Sequence, residues 1–280
     1  MKKIYISCDI EGLAGIADFD MESDDTADFR ELYHWHLKWV LQGIKESQYN
    51  ESIEEITISD SHSKGVNLSY LRLSEMDDRV ALINGFPRYN YMMTGLTKEH
   101  DLVIFLGYHG GIGTIHSSMD HGYSARVAYD LKINGEYVNE TTINASYASE
   151  VGVPVGLIIG DEALKKQLHE DGLFSSVPVV TTKEAYGRYS IKSKPMNVLK
   201  QEIIAGVKQA IERPQPVEQI NFSLPATVDL QCTTTAQADR IEMLSHVKRL
   251  DGRMVSFTGD SMEQIMNDIV GIVGLGGTTY

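Results

Sequence analysis

Residues 4–12 read IYISCDIEG, a short apolar run that ends in two acids and a glycine. Such a run predicts a buried β-strand. Comparable runs lie at 55–59, 80–83, 102–106 and 153–159, and helical patterns separate them. Because strands alternate with helices, we predict an α/β fold in which a mainly parallel sheet carries helices on both faces.

The helical patterns are clear in two places in this first part of the chain. Apolar residues recur at spacings of three and four between Phe29 and Ile44, which predicts a long amphipathic helix. Asn139 is a candidate N-cap of a second helix, which carries Ile143, Tyr147 and Val151.

The order of elements changes near residue 185. A helix with apolar residues from Val198 to Ile211 comes first. Strand-like runs follow it at 220–224, 226–230 and 254–257, and a last helix is predicted at 261–273. We therefore expect two domains, a catalytic α/β domain at 1–185 and a smaller α+β domain at 186–280 that serves packing or oligomerisation. The glycine-rich tail, 274–280, is expected to fray or to pack.

Composition excludes some classes of function. The formal net charge of −14 repels phosphate backbones, so nucleic acid is not an expected partner. Cys8 and Cys232 form no spaced framework, which indicates a reducing compartment. The chain contains no apolar run of about 18 residues, and Asp9 and Glu11 interrupt the first one, so we expect a cytoplasmic protein that does not span a membrane.

Ligand-type side chains follow three of the predicted strands. Asp9 and Glu11 follow the first strand, His62 follows the second, and His109 follows the strand at 102–106. Functional groups gather at the carboxyl ends of parallel strands, so these four side chains are expected in one pocket. Mixed imidazole and carboxylate ligands suit zinc, manganese or iron. Two neighbouring carboxylates repel each other, and a pair of cations bridged by one of them relieves this repulsion.

Three further residues have open roles at this stage. The glycine-rich stretch 110–124 predicts a loop, and it contains His116 and His121, either of which could transfer protons. Asp60 could orient a ligating histidine or cap a turn.

Five segments in order resemble one family, the zinc-dependent D-aminopeptidases linked to bacterial dipeptide-transport operons. They are Asp9-Ile10-Glu11-Gly12, Asp60-Ser61-His62-Ser63, Phe105-Leu106-Gly107-Tyr108-His109, Met119-Asp120-His121 and Asn139-Glu140. The resemblance covers residues 1–161 and weakens in the last hundred residues.

The resemblance implies a set of site residues and an assembly. Two zinc ions per subunit would be held by Asp9, shared between them, and by Glu11, His62, His109 and Glu140. The catalytic histidine would be His121, and His116 stays an alternative because the loop departs from the family's length by one residue. The family's ring-shaped assemblies imply a homo-oligomer.

The implied reaction is removal of the N-terminal residue of a short peptide, with D-amino acid peptides or amides as substrates. A hydroxide bridging the metals would attack the scissile carbonyl, and His121 would stabilise the oxyanion or pass a proton to the leaving nitrogen. Two alternatives remain open. Asp60-Ser61-His62 matches an element of two-metal phosphoesterases, although no matching GDxxD or GNH element occurs. The same ligands could also form a closed, non-catalytic metal site.

Overall fold

The computed structural model describes residues 1–23, 27–170, 174–213 and 222–279. Its strands are β1 (Lys3–Cys8), β2 (Glu55–Asp60), β3 (Val80–Ile83), β4 (Leu102–Tyr108), β5 (Ala128–Ile133), β6 (Glu136–Tyr137), β7 (Val155–Gly160), β8 (Val179–Thr181), β9 (Lys183–Gly187), β10 (Ser190–Ser193), β11 (Ala226–Cys232), β12 (Lys248–Arg249) and β13 (Met254–Gly259). Its α-helices are α1 (Asp20–Ser23), α2 (Ala27–Lys45), α3 (Tyr70–Met76), α4 (Glu140–Val151), α5 (Glu162–His169), α6 (Met196–Glu212), α7 (Thr235–Ile241) and α8 (Met262–Gly276). Short 3-10 turns lie at Asn50–Ser52, Tyr91–Met93 and Gly277–Thr279.

Six strands form the central sheet in the order β3-β2-β1-β4-β7-β8, and every neighbouring pair is parallel. The chain moves outward from β1 to β3 and then returns to place β4 on the other side of β1. The connections after β1 and β4 therefore run in opposite directions, which opens a crevice at the carboxyl ends of these two strands.

Helices cover both faces of this sheet, as the sequence predicts. On one face, the apolar side chains of α2 and α6 pack against alternate residues of the central strands, such as Ile4, Ile6 and Ile104. On the other face, α4 and α8 bury residues such as Phe105 and Ile158 together with the inner face of a second sheet. The mixed α/β fold class is thus confirmed.

The second sheet has the order β12-β13-β11-β5-β6, and all its pairs are antiparallel. It combines β11 to β13 with β5 and β6, so its strands come from both sides of residue 185. The separate hairpin β9–β10 packs against the chain after β1, where the Ser193 hydroxyl accepts a hydrogen bond from Gly15 N at 2.8 Å. The division into 1–185 and 186–280 stays a prediction.

Most predicted elements are confirmed with small shifts of their ends. The run at 153–159 begins as a strand only at Val155, because Pro154 has no N–H to donate to the sheet. Asn139 caps α4 by accepting a hydrogen bond from Thr142 N, and the last helix continues to Gly276, beyond its predicted end.

Two further predictions concern the run at 220–224 and the two cysteines. The predicted run at 220–224 is wrong for residues 222–224, which form no strand, whereas residues 220 and 221 lie outside the described residues. Cys8 and Cys232 are both free, as expected.

Candidate metal centre and active site

The predicted ligand residues meet in the crevice between β1 and β4. Asp9 and Glu11 follow β1, His62 follows β2 and His109 follows β4. Glu140 enters from the first turn of α4, which packs on the face of the central sheet that carries Phe105. All five side chains are buried.

Two glycines allow the ends of β1 and β4 to approach closely. Gly107 has a φ of +81°, and a Cβ atom there would lie 2.0 Å from the carbonyl oxygen of Asp9. A Cβ atom at Gly12 would lie 1.9 Å from the carbonyl oxygen of Tyr108. Because neither has a side chain, Asp9 N and Gly12 N can each donate a 2.7 Å hydrogen bond to the β4 backbone.

The carboxylates and imidazoles contact one another directly. His62 Nδ1 lies 3.0 Å from Asp9 Oδ1 and 3.3 Å from Glu11 Oε2. His109 Nε2 lies 3.8 Å from Asp9 Oδ2 and 3.5 Å from Glu140 Oε2. The two oxygens of Asp9 thus face two different imidazoles.

Three overlapping groups of side chains offer ligand atoms that all lie within 4.8 Å of one another. The first group is Asp9, Glu11 and His62, and the second is Asp9, His109 and Glu140. Asp9 belongs to both groups, which is the placement expected of a carboxylate between two ions. The third group contains Glu11, His109 and His121.

Unpaired polar atoms show that the residues fit divalent cations. Among the described residues, seven buried side-chain atoms have no hydrogen-bond partner, and three of them are Asp9 Oδ2, Glu11 Oε1 and His109 Nε2. Buried polar atoms without partners are costly, and coordination of a cation would satisfy all three. The donor set of carboxylates and imidazoles suits zinc.

The charges of the site are strongly coupled. Burial and the neighbouring Glu11 raise the pKa of Asp9 well above its usual range. Burial also opposes charge on Glu11, but His62, His121 and His109 lower its pKa well below the ordinary value. Burial works against charge on His109 too, yet the Glu140 carboxylate raises its pKa to about 10. A cation at this place would stabilise the ionised carboxylates directly.

Partners on the outer side fix the orientation of the ligand atoms. His109 Nδ1 donates a 2.8 Å hydrogen bond to Gly110 O, which leaves Nε2 facing the acids. His62 Nε2 lies 3.0 Å from Glu22 Oε2, which leaves Nδ1 facing the acids. The N–H of Tyr123 donates to Glu140 Oε1 at 2.6 Å. Such partners hold ligating side chains in position.

His121 approaches the same acids from the loop after β4. Its Nδ1 donates a 2.9 Å hydrogen bond to Met119 O, and its Nε2 lies 3.7 Å from Glu11 Oε1. The ring stacks on His109 at 4.5 Å, and the edge contact with Phe19 holds its other side. Burial and the charge of His109 lower the pKa of His121.

Two other predicted residues lie apart from this cluster. His116, the alternative to His121, is exposed at a position with a φ of +55° and does not line the cavity. Asp60 accepts hydrogen bonds from the backbone N–H groups of Asn67 and Leu68 at 2.6 and 2.9 Å. Of the two roles considered for Asp60, the structure therefore shows the turn cap.

A cavity of about 550 Å³ opens over the cluster. His121, Tyr91, Tyr123 and Phe19 line it together with the acids, and Arg126, Arg188 and Tyr189 also contribute to its wall. Neither Glu22 nor these arginines could be recognised as site residues from the sequence.

The fold and the cavity together define the class, an α/β protein with a candidate binuclear metal centre at the carboxyl ends of the central strands of a parallel sheet. The chain belongs to the D-aminopeptidase family, because the model of that family matches residues 1–270. The family resemblance of the sequence is thus confirmed.

Two relatives support this assignment. A D-aminopeptidase from Bacillus subtilis (strain 168) is 29% identical over 190 residues, which cover 68% of this chain and 66% of that protein. The chain therefore matches slightly less than two thirds of that relative's length. The fold is similar to that of the Zn-dependent D-aminopeptidase DppA from Bacillus subtilis, described as a self-compartmentalizing protease, with a TM-score of 0.89 at 21% identity. That similarity covers 99% of this chain and 98% of the other.

None of the described helices combines the length and the apolarity that a bilayer-spanning segment requires.

Proposed function

We propose that this chain is a binuclear zinc aminopeptidase that removes the N-terminal residue from short peptides, with a preference for D-amino acids. The observation that carries the proposal is the placement of Asp9, whose two carboxylate oxygens face different groups of ligand atoms, Oδ1 towards His62 and Oδ2 towards His109. Membership of the D-aminopeptidase family supports the choice of peptides as substrates.

The two groups suggest how the ligands divide between the ions. Glu11 and His62 would hold one zinc ion, His109 and Glu140 would hold the other, and Asp9 would contact both. When bound, the ions would supply polarisation of the scissile carbonyl and acidification of the attacking water.

The protein itself would provide proton transfer and orientation. Met119 O can only accept a hydrogen bond, so His121 carries its proton on Nδ1 and presents a lone pair on Nε2. This nitrogen can take a proton from the attacking water and deliver it to the leaving nitrogen. The placement of the ligands at the closed end of the cavity would also let the ions anchor the free α-amino group of the peptide, which orients the substrate.

Assembly and location complete the proposal. We infer a homo-oligomer, since the structurally similar DppA is described as self-compartmentalizing. We also infer a cytoplasmic location, because the two cysteines form no spaced framework and no apolar run reaches about 18 residues. We also propose that the chain divides into domains at 1–185 and 186–280, of which the second serves packing or oligomerisation. Light scattering of the purified protein gives the subunit number, and a monomer would contradict the assembly.

The activity is tested by metal depletion. Chelator-treated protein should lose hydrolysis of D-Ala-Gly-Gly and regain it with two equivalents of zinc, whereas the L-Ala peptide should be cleaved more slowly. Elemental analysis should find about two zinc ions per subunit, and Asp9→Asn should abolish binding of both. Cleavage of a nitrophenyl phosphate ester but of no peptide would replace the proposal with the phosphoesterase alternative. Binding of zinc with no turnover of either substrate would indicate a non-catalytic metal site.

A further inference from the structure

The charges of the cavity are divided between its two ends. Its buried end carries the carboxylates of Asp9, Glu11 and Glu140. Arg126 and Arg188 line the same cavity, and both are exposed. Positive charge therefore lies at the open end of a cavity whose closed end is the proposed metal centre, in a protein with a net charge of −14.

The two arginines differ in their availability for a ligand. The guanidinium of Arg188 lies 3.3 Å from Asp120 Oδ1, and its Nε donates a 3.1 Å hydrogen bond to the Tyr189 hydroxyl. The guanidinium of Arg126 has no hydrogen bond or ion pair with any residue that the structure describes. Its five N–H donors are thus free to bind an anion.

The backbone of Arg126 is firmly held although its side chain is free. Its carbonyl oxygen accepts hydrogen bonds from Thr233 Oγ1 at 2.7 Å and from Gln237 Nε2 at 3.0 Å. The next residue, Val127, is fully buried, and its carbonyl oxygen accepts a hydrogen bond from Thr233 N at 3.0 Å. Residues after 226 therefore position a cation at the cavity that the parallel sheet forms.

We propose that Arg126 binds the C-terminal carboxylate of the peptide substrate and makes the site selective for short peptides with a free acid terminus. This inference rests on the proposed aminopeptidase function. A short peptide with a free acid terminus matches the cavity at both ends, with its amino group towards the proposed metal centre and its carboxylate towards Arg126. Arginine recognises carboxylates through two parallel N–H···O bonds, and a cavity of about 550 Å³ has the size of a small-ligand site.

The test compares D-Ala-Gly-Gly with its C-terminal amide, which differs only in the charged terminus. The wild-type zinc enzyme should cleave the free acid with the higher kcat/KM, mainly through a lower KM. Arg126→Gln should reduce this preference about ten-fold. Arg126→Lys should restore part of it, because lysine keeps the charge but loses the paired geometry. Arg240→Gln, which removes an exposed charge outside the cavity, should retain the wild-type preference.

A preference for the free acid that survives in Arg126→Gln would overturn the inference, and so would equal use of acid and amide by the wild type. Both results would leave the aminopeptidase proposal intact. If the wild type cleaved neither peptide, the aminopeptidase proposal would fail instead. Calorimetry then decides the role of Arg126 separately, with the aminomethylene analogue of D-Ala-Gly-Gly as an acid and as an amide. Loss of the tighter binding of the acid in Arg126→Gln supports the inference, and unchanged binding overturns it.

Discussion

The imidazole of His62 and the carboxylate of Glu22 form a 3.0 Å contact on the side of the ring that faces away from the other acids. Burial lowers the pKa of His62, but the charge of Glu11 and the surrounding carboxylates raise it well above the ordinary value. The contact also fixes the ring so that Nδ1 points at Asp9 and Glu11. Glu22 thus orients a proposed metal ligand without being one.

We expect Glu22→Gln to weaken zinc binding about 10- to 100-fold, since carboxylate partners of ligating histidines contribute to this extent. The affected ion should be the one proposed for Glu11 and His62, so one of two zinc ions should be lost first. Competitive titration with a chromophoric chelator measures both affinities.

Asp20→Asn is the matched control, because Asp20 lies exposed on the same short helix and the substitution removes the same charge. Equal weakening of zinc binding in the two variants would show that Glu22 acts only through general electrostatics.

Gly107 allows the backbones of β1 and β4 to approach closely. Its substitution tests whether this approach is required to assemble the site. Gly107→Ala should lower the free energy of unfolding by more than about 2 kcal/mol, because it adds a clash with Asp9 O to the strain of a positive φ. Gly135 has a similar φ of +85° but no atom within 4 Å of its would-be Cβ. Gly135→Ala should therefore cost only about 1 kcal/mol.

Urea denaturation of both variants measures the difference, and zinc analysis shows whether the metal centre is lost with Gly107. Equal costs at the two glycines would indicate that the close approach of β1 and β4 is not required.

The sequence was sufficient to predict five of the six central strands, all but β8, but not the way in which the second sheet is assembled. The strands of the central sheet are covered on both faces, so runs such as 4–8 and 102–106 are mostly apolar and easy to recognise. By contrast, β5 mixes buried and more exposed residues in the sequence AYDLKI, and its pairing with β11 joins segments about a hundred residues apart. No local pattern reveals such a pairing.

The residues of the site also fall into two groups, those that a local sequence pattern predicts and those that depend on contacts between distant segments. Asp9, Glu11, His62 and His109 could be predicted from position, because each follows a recognisable strand. Glu140 came only from the family resemblance, because it begins a helix whose place in space the sequence does not give. Glu22 and Arg126 were not predicted, since their importance depends on neighbours that folding brings to them.

His121 is predicted to act as a general acid–base group, and its removal should leave metal binding intact. His121→Ala should lower turnover of D-Ala-Gly-Gly by about 100- to 10,000-fold, the usual range for loss of a general acid–base group. Both zinc ions should remain, since five other ligands are available. His116→Ala should keep wild-type turnover, because its side chain is exposed outside the cavity.

Steady-state kinetics and elemental analysis of the same preparations separate these outcomes. Loss of one zinc ion in His121→Ala would reassign His121 as a ligand within its group with Glu11 and His109.

His36 lies in α2, away from the metal centre, and its burial should make the stability of the protein depend on pH. Burial lowers its pKa to about 4 in the folded protein, against the ordinary 6.5. Its Nδ1 donates to Leu32 O, and its Nε2 accepts from Ala14 N, so the folded state holds it neutral. Between these two pKa values the unfolded chain binds more protons than the folded chain. The free energy of unfolding should therefore fall as pH drops from about 6.5 towards 4, by up to about 3 kcal/mol from this residue.

Glutamine at position 36 offers a donor and an acceptor but does not titrate. We expect His36→Gln to show a shallower loss of stability than the wild type between pH 6.5 and 4.5, although it is less stable at pH 7 because its side chain fits the buried position less well. Urea denaturation of metal-free protein at several pH values measures both curves, and subtraction removes the contribution of the other titrating groups. Parallel curves would mean that His36 accepts a proton without disturbing the fold, and its burial against Trp39 would then have to relax at low pH.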